Sequence, residues 1–414
     1  MAITCRFEVK AIHVVLGLAL FSCLANGVAL RHRRDLVEDT GGSLTVFDVT
    51  QFGAKADDKT DNAIAFIKAW KEACNSKTPA KVLIPKGNFV MGPAVFQGPC
   101  QSKVTFELLG IVKATTDLSD YSSPEWISFE RITGLTLKGD GTFDGQGESA
   151  WKYNDCANTG DCAALPDQLK FFNVKDSDVS GITSLNSKYF HYHVVSCSNV
   201  NFHDLKITAP GESPNTDGMH ISKSSSIKVI NSIIGTGDDC ISIGQGTNDL
   251  TVNKVTCGPG HGISVGSLGK YQNEEDVTGI VVTDCTFTGT TNGARIKTYP
   301  GSQASKASTI IFEDITMKDV KNPIVIDQFY GSKSSQPSKV KLSDVHFRNI
   351  KGSTVSMVAV DLKCSPAAPC DDVELSDIDF TYAGTKKGTG ELSTSCSNAK
   401  VTAAGKLNPG TCPI

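Results

Sequence analysis

From about residue 130 onward the chain repeats itself, and the repetition limits the folds open to it. An apolar pattern h-x-h-x-x-h-x-h, often with Asp, Asn or Gly just before the third apolar site, recurs in VNFHDLKI (200–207), LTVNKVTC (250–257) and IVVTDCTF (280–287). It returns in IIFEDITM (310–317), VKLSDVHF (340–347) and VELSDIDF (373–380). The second apolar sites are Phe202, Val252, Val282, Phe312, Leu342 and Leu375, with Val229 filling the gap, so the site advances along the chain by 27, 23, 30, 30, 30 and 33. Short period-two strands at such a step fit a solenoid, in which each coil buries its face only by stacking on its neighbours. A sandwich needs antiparallel hairpins with tight turns, and these are scarce here. The expected fold is all-β, a right-handed parallel β-helix.

An open coil end would expose apolar edges, so a cap is expected. DNAIAFIKAWKEAC (61–74) puts Ile64, Ile67 and Trp70 on one helical face, with Asp61 or Asn62 as N-cap, and is read as a short N-terminal capping helix. Cys285 falls on an inward apolar position of the repeat, where a buried thiol is expected.

The N-terminus reads as a secretory signal peptide. Arg6 and Lys10 precede an apolar stretch over 11–24, followed by the small residues Ala25, Gly27 and Ala29. That stretch is short for a bilayer span, and no later one approaches the length required. The expected organisation is a signal peptide over 1–27, an exposed mature segment over 28–45 that carries the basic run Arg31 to Arg34, and a single β-helix domain over 46–414. Of 14 cysteines, removal of Cys5 and Cys23 with the signal leaves 12, an even number in an oxidising compartment. Neighbour pairing suggests Cys74–Cys100, Cys156–Cys162, Cys240–Cys257, Cys364–Cys370 and Cys396–Cys412, with Cys197 and Cys285 left over. A net charge of −4 argues against general nucleic-acid binding, and no Asn-x-Ser/Thr sequon is present for N-glycosylation.

The polar residues gain meaning from the repeat. An isolated Asp-Asp pair such as Asp238-Asp239 is ordinarily a solvated turn. Here, however, Asp217 in SPNTDGMHIS, Asp239 in GTGDDCISIG and His261 in GPGHGISVG follow one another at equal intervals of twenty-two, and each precedes a short apolar strand. Equal phase in consecutive coils predicts a polar column with strands about 4.8 Å apart and Asp238 offset beside it. GARIKTYPG adds Arg295 and Lys297, two residues apart and able to face the same side. A Cys240–Cys257 bridge would tie the acidic coil to that of His261, giving the rigid support a site needs.

Clustered carboxylates cannot all ionise alike, so one pKa should rise while another stays low. Glycoside hydrolysis needs such a division: a protonated carboxyl for the leaving oxygen and an ionised one for water or the sugar, with a separation of about 6.5–9.5 Å giving inversion. Arg295 and Lys297 would be idle beside a neutral sugar but can grip a uronate. The expected substrate is an acidic polysaccharide.

The motifs Asn215-Thr216-Asp217, Gly237-Asp238-Asp239, Gly260-His261-Gly262 and Arg295-Ile296-Lys297, in this order, resemble those of the polygalacturonases, glycoside hydrolase family 28. The similarity runs from about Val46 through FDGQGESAW (143–151) to the C-terminal cysteines, and phrases such as GPGHGISVGSLGKY and RIKTYPG are most like plant pollen exopolygalacturonases. The resemblance implies a parallel β-helix, hydrolysis of α-1,4 links in polygalacturonate with inversion, and release of galacturonic acid from chain ends. It implies Asp238 as general acid, Asp217 and Asp239 as the pair that positions water, and His261 as support for the acid and the bound sugar. Arg295 and Lys297 correspond to groups that bind the galacturonate carboxylate, and Tyr330 in VIDQFYG to a substrate-contacting tyrosine. SKYFHYHVVSC (187–197) occupies a cleft-lining stretch, which makes His191 and His193 candidate sugar contacts. No cofactor or metal is implied. The expected context is the extracellular cell wall, with pectin as partner and the protein acting as a monomer. Alternatives from other classes are an endo-acting enzyme, a Ca²⁺-dependent pectate lyase and a non-catalytic wall-binding solenoid.

Overall fold

The computed structural model describes residues 44–154, 165–331, 335–385 and 391–412. The expected signal peptide, most of the expected 28–45 segment and the expected Cys156–Cys162 pairing lie outside the described residues. Residues Gly42–Ile414 form one compact unit, and no described helix is long and apolar enough to cross a membrane.

Each strand inside the stack pairs in parallel with its counterparts one coil earlier and one coil later, and the end strands pair on one side. Tyr192–Val195, Met219–Ser222, Ile241–Ile243, Ile263–Leu268, Asn292–Thr298 and Asn322–Asp327 run in this way through an 11-stranded sheet. The remaining strands form a bent 21-stranded sheet around the rest of each coil. The chain thus winds as a right-handed parallel β-helix.

The residue that breaks the repeat explains the corner. Asp204, Asn231, Asp284, Asp314, Asn349 and Asp377 all have φ between 46° and 56°, as does Lys254 at 55°. Asp and Asn tolerate this left-handed conformation because their short side chains bond locally. The acidic or amide residue before the third apolar site is therefore the bend between two strands of one coil.

One repeat assignment is corrected. Phe312 pairs with Phe347, and Phe347 with Leu375, so the last steps are 35 and 28 rather than 30 and 33. Leu342 pairs instead with Ala307. Val340/Leu342 and Val345/Phe347 present the same binary pattern at an odd offset, and all four are buried. An odd shift keeps them all inward because Asp344, at φ 56°, turns the strand between them.

Inside the coil, like residues stack. Phe96, Phe129, Phe171, Val194, Ile221, Ile243, Val265, Ile296, Ile326 and Leu362 form one continuous register, each 0% exposed. Burial of each is worth roughly 1.5–3 kcal/mol. Strand alternation puts the residue before each of these on the outer face. That outer column reads Lys170, His193, His220, Ser242, Ser264, Arg295.

The capping helix, Ala63–Cys74, buries Phe66, Ala69, Trp70 and Ala73 against the first coils. Ile64 is 70% exposed, which corrects its placement on the core face. It lies about 200° around the helix from Phe66, whereas Phe66, Trp70 and Ala73 follow the i, i+4, i+7 stripe. At the N-terminus Asp61 Oδ1 accepts from Ala63 N at 2.9 Å. Asn62 makes no side-chain cap bond and instead donates to Val90 O. The Cys74–Cys100 disulfide anchors the far end.

Candidate active site

The three strands that carry the acidic motifs hold them in one phase. Met219, Ile241 and Ile263 are direct partners across the sheet, so Asp217, Asp239 and His261, each two residues earlier, occupy equivalent places in three successive coils. Backbone bonds continue the ladder at that level, from Gly218 N to Asp239 O at 2.9 Å and from Cys240 N to Gly262 O at 2.8 Å. Two glycines are required by this crowding. A Cβ on Gly237 would lie 1.9 Å from Ser213 O, and Gly262 combines φ +87° with a Cβ position 2.2 Å from Asn292 O.

Asp239 is the most enclosed acid, 1% exposed. Its Oδ1 accepts from Arg295 Nη2 at 2.6 Å and Ser264 Oγ at 2.9 Å, and its Oδ2 from Lys297 Nζ at 2.7 Å. Burial alone would raise its pKa, but Lys297 and Arg295 overcome burial and hold it at about 2. Burial would likewise discharge Lys297, and the Asp239 charge keeps it protonated. Arg295 also donates from Nε to Ser264 Oγ at 2.8 Å.

Asp217 has the opposite electrostatics. It is 6% exposed and accepts from Ser242 Oγ at 2.7 Å, with no cation in direct contact among the described residues. Burial, then the Asp238 and Asp239 charges, push its pKa well above the usual carboxylate range. Two carboxyl groups of equal phase are thereby pushed apart in pKa, Asp239 downward by its cations and Asp217 upward by burial and its acidic neighbours.

Asp238 points out of this pair. Its Oδ1 accepts from Asp239 N at 2.8 Å and lies 3.0 Å from His261 Nδ1, while its Oδ2 accepts from Asn215 Nδ2 at 3.3 Å. Its hydrogen bond to His261 raises the imidazole pKa despite partial burial. The ring therefore pairs with the offset acid, although its backbone shares the phase of the other two. Cys240–Cys257 forms a disulfide beside Asp239, and Cys364–Cys370 and Cys396–Cys412 close later coils. Cys197 and Cys285 are unbridged and buried.

Tyr330 covers the cations, its ring centre 4.9 Å from Lys297 Nζ and 5.9 Å from Arg295 Cζ. Tyr299 meets it edge-on at 5.6 Å. At the opposite end, His193 Nδ1 lies 2.6 Å from Asp167 Oδ2. His191 is fully buried, lies 2.7 Å from Ser184 Oγ and has its pKa lowered to about 3 by burial. It faces the interior and cannot line a cleft.

Among the described residues, Asp238, Asp239 and His261 are the group whose potential metal-donor atoms lie within 4.8 Å of one another. The donor set does not fit a Ca²⁺ site. Both oxygens of Asp239 are already held by buried cations, and Ca²⁺ requires six to eight oxygen ligands.

A family model described as glycosyl hydrolases family 28 matches residues 74–405. The chain belongs to this family. An exopolygalacturonase of Arabidopsis thaliana is 47% identical over 406 residues, 97% of this chain and 95% of that protein. An exopolygalacturonase of Platanus acerifolia is 46% identical over 88% of this chain and 97% of its own length. Among solved structures, an exopolygalacturonase from Thermotoga maritima superposes with a TM-score of 0.73 at 16% identity, covering 88% of this chain and 92% of that one, a likeness of fold.

Within this family 28 site, sequence reasoning missed Ser242, Ser264, His220 and Asp167. The first three were accessible to the same arithmetic, since His220, Ser242 and Ser264 repeat the equal intervals of the acidic motifs. They form the outer column three residues after the acids. His220 Nδ1 lies 2.8 Å from Ser242 Oγ, which in turn bonds Asp217. Asp167, in the ordinary phrase LPDQL, carried no signal of its own.

Proposed function

We propose that this protein is an exo-acting polygalacturonase that hydrolyses α-1,4-linked galacturonate in pectin with inversion of configuration. The observation that carries the residue roles is the opposed setting of two acids of equal phase: Asp239 is bonded to Lys297 and Arg295, whereas Asp217 is buried beside acidic neighbours with Ser242 as its donor, which raises its pKa. In this reading Asp238, partly exposed and 3.0 Å from His261, supplies a proton to the leaving glycosidic oxygen. Water held by Asp217 and Asp239 attacks the anomeric carbon as the C–O bond breaks, and its proton passes to Asp239. The sugar gains the hydroxyl, and the departing chain gains the proton.

Arg295 and Lys297 link binding to chemistry. An incoming uronate carboxylate competes with Asp239 for both cations. As they turn toward substrate, Asp239 loses the charges that depress its pKa and becomes a competent base. Tyr330 and His193 serve as sugar contacts at the two ends of the cluster. Secretion to the cell wall, supported by the N-terminal sequence, and action as a single copy complete the proposal.

Product analysis on long polygalacturonate tests this reading. Galacturonic acid alone at early times is expected; a ladder of oligomers would mean endo action. Ultraviolet-absorbing unsaturated products, or activity abolished by a chelator, would replace the hydrolase with a lyase. Proton NMR of the first-formed anomer tests inversion.

A further inference from the structure

Exo action needs a barrier close to the acids, and an aromatic pair that the catalytic roles leave unused lies in the coil before Asp217. The coil preceding Asp217 bends at 187–190. Its backbone is in ladder contact with the acidic coil, from His191 N to Asp217 O at 2.9 Å. Phe190 is therefore the neighbour of Asp217 in the preceding coil, about 4.8 Å away by strand spacing. Tyr189 stacks on Phe190 at 4.4 Å, Phe190 stacks on His220 at 5.2 Å, and His193 meets Phe190 edge-on at 5.6 Å.

This stack is firmly held. Ser187 Oγ donates to Phe190 O at 2.9 Å and accepts from Tyr189 N at 3.3 Å. Lys188, 2% exposed, donates to Gly145 O at 2.6 Å and so pins the bend to an earlier coil. Both rings remain partly accessible on the outer face. The Tyr189 phenol pKa is raised first by burial and then by the charges of Asp217, Asp167 and Asp238, so the ring stands beside the acids. The coils of His261, Arg295 and Tyr330 extend away on the other side of Asp239.

We infer that the Tyr189–Phe190 stack is the stop that makes this enzyme exo-acting. The terminal galacturonate lies over Asp217–Asp238 with its free end against the stack and His193 at its edge, and the polymer leaves over Arg295 and Tyr330. With the stop one coil before Asp217, the polymer can extend only over the later coils. An aromatic pair suits the position because it presents a rigid apolar face at low entropic cost.

The inference rests on the exo reading, and one experiment separates their failures. Early products from long polygalacturonate are compared for the wild type and a Tyr189→Ala/Phe190→Ala variant, with melting temperature as the folding check. The wild type is expected to give monomer alone. The opened variant should add a ladder of oligomers and a several-fold larger viscosity loss per reducing end formed. A folded variant that still gives only monomer overturns the stop alone. A wild type that itself gives a ladder overturns both readings. Should the double variant not fold, Phe190→Val removes the ring but keeps a compact branched side chain, and the same product analysis decides: oligomers support the stop and monomer alone overturns it.

Discussion

Lys297 Nζ lies 2.7 Å from Asp239 Oδ2, and the two side chains are 7% and 1% exposed. A buried pair of this kind adds little over an apolar substitute, but removing one partner strands the other charge at a cost of about 3–5 kcal/mol. Lys297→Met should therefore lower the melting temperature and reduce kcat/KM by about 100-fold or more. The Asp239→Asn/Lys297→Met double variant should recover part of the stability and none of the activity. Asp239 has its folded pKa below its ordinary value, so its contribution is present above about 3.8 and lost as pH falls toward about 2. The stability deficit of Lys297→Met should accordingly be largest near neutral pH and shrink as pH falls below about 3.8, where protonation relieves the stranded Asp239 charge, as circular dichroism melts would show. Unchanged acid and thermal unfolding would mean that Lys297 is not holding Asp239.

Asp217 carries the reverse linkage. Its folded pKa is raised, so its contribution to stability is fully present below about 3.8 and declines as pH rises through the folded value. Asp217→Asn keeps an acceptor for Ser242 and removes the buried charge. At pH 7–8 this variant should melt several degrees above the wild type, while losing activity by orders of magnitude. The advantage should vanish near pH 4, where the native carboxyl is already protonated. A melting temperature below the wild type across the whole range would show that the acid is not under strain.

The 3.0 Å contact between Asp238 and His261 predicts a spectroscopic signature. Asp238 is the largest cause of the raised imidazole pKa, so Asp238→Asn should move the His261 titration downward, readable from its ring proton by NMR. The same variant should retain its fold and lose turnover by orders of magnitude, since it removes the proposed proton donor. Normal turnover would remove Asp238 from that role. His261→Gln should depress the alkaline limb of the rate profile, because the raised pKa keeps the ring charged to higher pH than a free histidine.

Much of this architecture was legible because a solenoid turns sequence spacing into spatial stacking. Equal intervals predicted that Asp217, Asp239 and His261 sit in three successive coils, and Met219, Ile241 and Ile263 pair across the sheet in that order. Spacing could not say that His261 would bond Asp238, because side chains at a bend do not follow strand alternation. Nor could it reveal that Arg295 and Lys297, read as substrate grips, both begin on Asp239. The misplaced repeat at Leu342 has the same origin: a left-handed Asp344 lets an odd shift preserve the apolar pattern. Asp167 stayed hidden because its partner His193 is 26 residues away and nothing local distinguishes it.

The disulfide at the centre of the site offers a test of rigidity as distinct from chemistry. Cys240 follows Asp239 directly, and Cys257 precedes the loop that carries His261, with a sequence separation of 17 between the two cysteines. Closing a loop of that size constrains the unfolded chain by about 3 kcal/mol. Cys240→Ala/Cys257→Ala should lower the melting temperature correspondingly, with a further loss because both sites are fully buried. If the bridge also fixes the acid–histidine geometry, kcat should fall about 10-fold at temperatures well below melting while KM changes little, since Arg295, Lys297 and Tyr330 lie on later coils. A variant that melts earlier yet turns over normally at low temperature would assign the bridge to stability alone.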